Sequence, residues 1–525
     1  MSDKMRIIGY CLLLVLLLEG CASVDKFNAQ INKPRKVQDL KSEIDYVRCM
    51  LEKLHPDLYH YITRKDLEYK FDSLKSSLTI PMTSYDFYFR LSPVIASIKQ
   101  GHTQMIPLTK KLKNKEKKIV NRQGMSPLAL LDYELFDNKL YIVKNNSNDS
   151  TIKTGTELLS VNGVIPIDIL NKYRKTFTSD GNNQTFFERR LAKGFSRYFY
   201  YEQGIKDSVN CQINYKDTLR TVTLKRPVKL KIPVIKKSKE ETEKDKVLLK
   251  KESQKRKFLG YDPLRRIYSK QLTFPVKDSS IAIMKITDFM KGNYKKFYKN
   301  SFQQLDSLHT KTLILDLRDN GGGRIHEINT LYSYLADSSF KLIEKSVVTS
   351  KTSLWHFGYY NDKPFWMQTI QTLFLPIVGC LDVFTYFKIT KEPDHKYRYA
   401  LRDSKLTHPK ATRFKGKVYV LINGGSFSAS SLLSSNLKGS KRASFVGQET
   451  GGADNGCIAG IMPVRRLPDS KMFLRFGLLE CKTLYESKMD GRGIFPDKEI
   501  IPTLSDRING NDPELQWILN DSKGL

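Results

Sequence analysis

Cysteine is scarce in this chain, and the few cysteines follow no recurring spacing. Seven occur among 525 residues, and none belongs to a Cys-x-x-Cys pair. Five lie beyond Cys21, at wide intervals: Cys49, Cys211, Cys380, Cys457 and Cys481. An odd and scattered set excludes a disulfide framework and a metal cluster built on paired cysteines. We therefore expect no metal site and no cofactor, while a bond between Cys457 and Cys481 stays open.

Acidic residues are also few, with 55 Asp and Glu against 88 Lys and Arg, which gives a formal net charge of +33. The basic excess is spread along the chain, which indicates either a lysine-rich composition or affinity for an anionic partner. Hydrophobic residues make up 40% and charged residues 27%, as in ordinary globular proteins. The length predicts two or three domains.

The first residues have the pattern of an export signal. Lys4 and Arg6 precede an apolar run at 7–18, which is shorter than the ~20 residues that a membrane-spanning helix needs. The following Gly20-Cys21 resembles a bacterial lipobox, with Cys21 as the lipid attachment site; the alternative is an uncleaved membrane anchor. We expect a lipoprotein of the bacterial cell envelope, anchored to the membrane on its periplasmic or surface side. Because nucleic acids lie inside the cell, we expect an exported protein to have no nucleic-acid partner.

Changes in hydrophobic periodicity divide the chain into segments. Helical spacing gives way to strand patterns, then to a run rich in lysine and glutamate, and finally to alternating buried strands and helices, which predict an α/β core. An apolar insertion in that core is interpreted as a lid or surface hairpin, or else as a buried helix pair. The predicted segments are an export signal (1–20), a tether (21–34), an N-terminal helical subdomain (35–115), a β-rich domain (120–228), a charged linker or arm (229–262) and the core (263–525) with its insertion (351–415).

One strand of the predicted β-rich domain ends in a tight turn. Residues 155–163 read GTELLSVNG, a strand followed by an Asn-Gly turn. This stretch resembles the centre of a PDZ domain, a fold that binds extended peptides by adding a strand to a sheet edge. The alternative is a β-rich domain of another kind.

Two buried strands in the core run into loops of small residues. Thr312–Leu317 precedes three glycines at 321–323, and Val418–Ile422 precedes a second small-residue loop that places Ser428 at the start of a helix. Such loops leave backbone N–H groups free to face a ligand, and a helix N-terminus favours a developing anion. A serine in this position suits acyl transfer. Each loop alone is also compatible with a simple turn or helix cap, and the lysine of a phosphate-binding loop is missing.

Together the two loops resemble the carboxyl-terminal processing (tail-specific) serine peptidases. Residues 313–323 are similar to the family segment LDLRxNxGG, 423–430 to NGGSxSASE and 446–452 to VGExTxG. The resemblance covers about 263–505. It implies a crotonase/ClpP-like layered α/β core that hydrolyses peptide bonds.

Carried over residue by residue, the resemblance names a nucleophile and an oxyanion hole. Ser428 matches the nucleophile. The Ala429 amide would be one donor of the oxyanion hole, and Gly322 and Gly323 would supply or shape the other.

The base differs from the one that most of these bacterial enzymes use. Their lysine corresponds to Ala453, and no Lys or Arg lies between Arg442 and Arg465. The Gly-His-Thr turn around His102 resembles the histidine site of the branch that includes tricorn protease. That branch implies a Ser428–His102–carboxylate triad.

The carboxylate is the least defined member of that triad. Residues 489–497 resemble the ExxGVxPD stretch of the tricorn-like branch, and this resemblance nominates Asp490. Glu480 and Glu449 are the alternatives.

The leading hypothesis is an exported serine-type peptidase acting on protein or peptide substrates. The alternatives are a non-catalytic peptide- or lipid-binding envelope protein of the same fold and an esterase with the same triad. The sequence does not determine the oligomeric state.

Overall fold

A computed structural model describes residues 24–123, 125–226, 239–263, 267–277, 279–356, 375–485 and 489–523. The predicted export signal and Cys21 lie outside these residues. The same holds for 227–238 of the predicted linker and for 357–374 of the predicted insertion.

The N-terminal segment is helical, as its periodicity predicts. Two of its helices begin at threonine caps, because Thr63 Oγ1 accepts from the amide of Asp66 and Thr83 Oγ1 accepts from that of Asp86, each at 3.1 Å. The elements are α1 (Val24–Ile31), α2 (Val37–Leu54), α3 (Arg64–Ser77), α4 (Ser84–Ala96), β1 (Gln104–Ile106) and α5 (Asn114–Gln123).

The next segment is a five-stranded antiparallel sheet in the order β2-β3-β4-β5-β6, with two helices inserted after β4. The predicted Asn-Gly turn is present, since Asn162 and Gly163 have φ values of +49° and +80°. The elements are β2 (Leu131–Phe136), β3 (Lys139–Asn145), β4 (Thr156–Val161), α6 (Pro166–Arg174), α7 (Thr185–Gln203), β5 (Ser208–Tyr215) and β6 (Thr218–Lys225).

The predicted charged arm is a helix of 21 residues in its described part, α8 (Lys239–Leu259). It leads through three short strands into the core. These are β7 (Tyr261–Asp262), β8 (Ile267–Tyr268) and β9 (Lys270–Thr273).

The core is built on a six-stranded sheet in the order β21-β16-β15-β11-β10-β9, and only the β9–β10 pair is antiparallel. Two smaller sheets, β13-β14-β12-β20-β17 and β1-β19-β18, lie beside it. The strands are β10 (Ile281–Ile286), β11 (Thr312–Asp316), β12 (Ser346–Val348), β13 (Ile389–Lys391), β14 (Tyr397–Tyr399), β15 (Lys417–Ile422), β16 (Ser444–Gly447), β17 (Cys457–Ala459), β18 (Val464–Arg466), β19 (Phe473–Arg475), β20 (Leu479–Cys481) and β21 (Lys498–Glu499). The helices are α9 (Tyr294–Ser307), α10 (Ile325–Ser333), α11 (Leu375–Lys388), α12 (Ala429–Gly439), α13 (Leu504–Asn509) and α14 (Pro513–Asp521).

Alternation along the buried strands explains the layers. Leu313 and Leu315 of β11 belong to the large hydrophobic cluster that includes residues of α9, α10 and α12. Ile314 belongs to a second cluster that includes Ile518 of α14. Successive residues of a strand face opposite sides, so a strand buried on both sides needs helices on both. The predicted layered α/β core is confirmed.

The helical segment is attached to the core by backbone pairing and by one buried carboxylate. β1 pairs with β19 in antiparallel register, with Gln104 opposite Arg475. Glu43 of α2 is fully buried, and its Oε2 accepts from the amides of Asp469 and Ser470 at 2.6 and 2.8 Å. The turn before β19 is thereby held against α2.

Within the described part of the chain, no helix has both the length and the apolar character needed to cross a membrane.

Replacing Glu43 with Ala is expected to weaken this attachment. The two amides would lose their acceptor in a buried place, at a cost of about 1–3 kcal/mol. Glu43→Gln keeps one acceptor oxygen and is the matched control. Urea unfolding measures the difference, and equal stability of the Ala and Gln variants would contradict the role given to the carboxylate.

Candidate active site

Ser428 lies at the sharp turn between β15 and α12. Its φ is +59°, which is strained for a residue with a side chain. A strained strand-to-helix turn lifts the serine hydroxyl out of the sheet in many hydrolases. The Oγ atom lies 3.0 Å from Nε2 of His102, which is 326 positions earlier in the chain. The structure thus brings together the serine and the histidine that the sequence analysis selected.

Glycines make this turn possible. A Cβ atom at Gly322, where φ is +93°, would lie 2.7 Å from the Ser428 Cβ. A Cβ atom at Gly452 would lie 2.4 Å from Ser431 Oγ and 3.0 Å from the Ser428 nitrogen. Any larger residue at these two positions would displace the serine.

The two small-residue loops are bonded to each other. The Phe427 amide donates to the carbonyl of Asn320 at 2.9 Å, and the Asp319 amide donates to Asn423 Oδ1 at 2.9 Å. Ser426 Oγ donates to the carbonyl of Leu317 at 2.8 Å. The turn that carries Ser428 is therefore fixed to the loop that follows β11.

The backbone amides beside Ser428 differ in whether they already donate a hydrogen bond within the protein. The Gly322 amide donates to Asn320 Oδ1 at 2.9 Å, so Gly322 shapes the loop. For the amides of Gly323 and Ala429, no acceptor is found among the described residues. Ala429 is the first residue of α12, where helix geometry leaves N–H groups without a partner.

His102 is buried in an aromatic environment. Its ring stacks on Phe427 at 4.7 Å, and Phe427 stacks on Phe186 at 4.1 Å. Burial lowers the pKa of His102 to about 3, and the nearby Arg475 guanidinium contributes to the shift. The imidazole is therefore neutral at physiological pH and can accept a proton from Ser428.

None of the three carboxylates nominated from the sequence contacts His102. The other ring nitrogen of His102, Nδ1, is buried and has no hydrogen-bond partner in the described structure. Glu449 forms a two-point ion pair with Arg492 at 3.0 and 2.7 Å, and Glu480 pairs with Lys482 at 2.8 Å.

Asp490, the first nominee, contacts a different histidine in the structure, His60. Its Oδ2 is 2.9 Å from Nε2 of His60, whose Nδ1 is 2.8 Å from Asp57. The hydrogen bond with Asp57 and then that with Asp490 raise the pKa of His60 to about 9. The loop takes this direction because Gly491, at φ +70°, packs on the backbone of Gly181. Asp490 thus joins a bridge between the core and the helical segment.

A buried carboxylate that the sequence analysis missed holds the His102 turn. Asp180 lies between α6 and α7 and is 1% exposed. Its carboxylate accepts from the amide of Gly101 at 2.6 Å and, more weakly, from that of Ala453 at 3.4 Å. Burial raises the pKa of Asp180 to about 6. The carboxylate connects the histidine turn to the loop behind Ser428.

The serine and the histidine open into a cleft of about 630 Å³. Its walls are mixed, with Phe186 and Leu432 among the apolar residues and Arg324, Asp403 and Arg475 among the charged ones. A cleft of this size accommodates several residues of an extended peptide. The arrangement as a whole is that of a serine hydrolase.

Comparison with known proteins agrees with this class. Residues 280–500 match the family model of peptidase family S41. The matched segment contains Ser428, and the chain is a serine-type peptidase. No curated protein matches the chain in sequence.

Solved structures extend the similarity to most of the chain. Mature CPAF matches with a TM-score of 0.56 and 15% identity over 92% of this chain and 96% of its own. CPAF complexed with lactacystin matches with 0.55 and 16%, over 92% and 97%. A photosystem II D1 C-terminal processing protease has a TM-score of 0.42 at 14% identity, over 88% and 93%. At these identities the two CPAF structures show a shared fold.

Replacing Asp180 with Ala is expected to lower kcat/KM for a peptide by roughly 10- to 100-fold, because a misplaced base costs that much. The loss should fall mainly on kcat, since the side chain does not face the cleft. Asp180→Asn keeps one acceptor oxygen and should lose less. Labelling by a fluorophosphonate at the wild-type rate in the Ala variant would contradict this positioning role.

Proposed function

We propose that this protein is an exported peptidase that hydrolyses peptide bonds with Ser428 as the nucleophile and His102 as the base. One observation carries the proposal, the 3.0 Å distance between Ser428 Oγ and His102 Nε2. A nucleophile and base within hydrogen-bond reach, at a strained turn in a cleft, are the elements of acyl transfer.

The reaction follows from the positions of these groups. His102 Nε2 takes the proton of Ser428 Oγ as the oxygen attacks the substrate carbonyl. The Gly323 and Ala429 amides, with the N-terminus of α12, stabilise the resulting oxyanion. His102 then gives its proton to the leaving amine, and water hydrolyses the acyl-enzyme by the same route in reverse.

The proposed site is the Ser428–His102–carboxylate triad that the sequence predicts, and among the described residues the structure brings together Ser428 and His102. Burial that keeps His102 neutral also makes its protonated form costly, and the charge of Arg475 adds to that cost. No described carboxylate offsets it at Nδ1.

The β-rich domain is proposed to act as a PDZ-like peptide-binding module. Among the described residues, its edge strands, β2 and β6, each pair with one other strand. An unpaired edge is the feature to which an extended peptide adds.

A non-catalytic binding protein of the same fold is the competing function, and covalent probes distinguish the two. A fluorophosphonate should label the wild-type chain at Ser428. Lactacystin, present in one of the CPAF structures, is a second probe of the same kind of site.

Removing either catalytic residue is expected to abolish most activity. Ser428→Ala and His102→Ala should each lower kcat/KM by on the order of 10⁴-fold, and the double variant should be little worse, because the two act as a unit. A quenched peptide and the fluorophosphonate measure this. His408→Ala, at an exposed histidine bonded to Ser339, is the matched control. Full labelling of Ser428→Ala would overturn the assignment.

The same base predicts an unusual pH profile. Because burial lowers the pKa of His102, activity should persist below pH 6.5, the ordinary pKa of histidine. The acid limb of kcat/KM should therefore lie below that value. An acid limb above pH 6.5 would contradict the proposed state of His102.

Membrane anchoring through Cys21 is also a proposal. Lipid on Cys21 would fix the chain to a membrane, since each buried methylene contributes about 0.8 kcal/mol. Cys21→Ala is therefore expected to move the protein from the membrane to the soluble fraction or to block its processing. Unchanged fractionation, with an unchanged mass of the N-terminal peptide, would exclude this anchor.

A further inference from the structure

Arg475 is a partly buried cation in the catalytic cleft. It is the last residue of β19 and pairs with Gln104 of β1. Gln104 follows His102 by two positions in the sequence. Among the residues that the structure describes, no carboxylate lies within ion-pairing distance of its guanidinium. Its recorded side-chain contact is Nη2 to the sulfur of Met462 at 3.1 Å, a weak acceptor.

Two more deeply buried arginines of this protein are neutralised by carboxylates. Arg318 pairs with Asp316 and Asp512, and Arg189 pairs with Asp319. Unpaired burial of a charge is costly and lowers the pKa of Arg475. The free-energy cost of burying the Arg475 guanidinium is not offset by a carboxylate of the described residues. A buried cation left without such a partner in a cleft is typical of a group that binds an anionic ligand.

The other charged groups of the cleft have partners of their own. Arg190 has its guanidinium 5.7 Å from the centroid of the Phe186 ring. Arg324 is already paired with Glu327 at 2.9 Å. Asp403, the carboxylate among the described lining residues, accepts from Asn329 at 2.9 Å and contacts His326 at 3.4 Å. The guanidinium of Arg475 therefore keeps donors for a ligand, in a geometry that suits a carboxylate.

The position of Arg475 indicates which part of the substrate it meets. His102 must give its proton to the leaving amine, so the leaving segment lies on the histidine side of Ser428. Arg475 lies on that side, close enough for its charge to act on His102. We propose that Arg475 binds a carboxylate of the substrate on the leaving-group side of the cleaved bond, either an acidic side chain or the chain terminus.

This inference rests on the proposed function and adds a substrate class to it. It also gives the carboxylate a second effect. Once paired with Arg475, the carboxylate cancels the positive charge that opposes protonation of His102. An anionic substrate then supplies part of the stabilisation that no described carboxylate of this chain provides at that ring.

The test uses the full chain and four versions of one quenched peptide. The versions carry Glu or Gln at the two positions after the cleaved bond and a free or amidated C-terminus. A peptide with the recognised carboxylate should be cleaved with a roughly 10- to 100-fold higher kcat/KM than the neutral peptide. If Glu and Gln versions differ, the carboxylate is an acidic side chain. If the free and amidated versions differ, it is the chain terminus.

Variants separate recognition from structure. Arg475→Met should lose the preference, with a larger fall in kcat/KM for the anionic peptides than for the neutral one, whereas Arg475→Lys should keep part of it. Arg324→Gln, at a cleft arginine already paired, should retain the preference. Arg475→Met should also move the acid limb of fluorophosphonate labelling to higher pH, because removing the guanidinium raises the pKa of His102.

The outcomes distinguish the two proposals. Normal labelling of the wild type with equal cleavage of all four peptides would overturn the role of Arg475 and leave the catalytic assignment standing. An equal loss on neutral and anionic peptides in Arg475→Met would also overturn it. Absence of labelling in the wild type would overturn both.

Discussion

The pairing of β1 with β19 is the contact on which the active site depends. Gln104 and Arg475 face each other in this pair, 371 positions apart (475 − 104). His102 lies just before β1, so the pairing sets the place of its ring over Ser428. Glu43 fixes the turn before β19, and Asp180 fixes the turn that carries His102. Both carboxylates are buried and accept hydrogen bonds from backbone amides. These charge-assisted bonds fix the position of the two turns.

Buried ion pairs fix the position of the loop that follows β11, as the β1–β19 pairing fixes the position of His102. Arg318 connects this loop to Asp512 at the start of α14, at 2.7 and 2.8 Å. Asp319 connects it to Arg189 of α7. The three glycines that follow gain a fixed position from neighbours on both sides. Such pairs are costly to break once buried, so the loop stays in place before any substrate arrives.

The residues that sequence analysis identified are those whose role is set by local backbone geometry. Ser428 and Gly322 belong to turns that demand particular residue types, and the pattern around His102 is equally local. The strands of the core followed from their apolar runs for the same reason. The surroundings of Asp490 could not be predicted from the sequence, because the neighbouring Gly491 packs against Gly181, a residue of a different segment. Asp180 and Arg475 give no signal in the sequence, since a single charged residue in a loop or short strand acquires its role only from long-range packing.

A site assembled from such distant segments makes hydrolysis a late property of the chain during synthesis. His102, on the helical segment, is synthesised well before Ser428. Until Ser428 has been added, no serine can lie beside its ring. Non-local contacts also form late in folding, because closing a long loop costs entropy before any contact compensates for it. Under the proposed function, the site is therefore complete only after β1 has paired with β19.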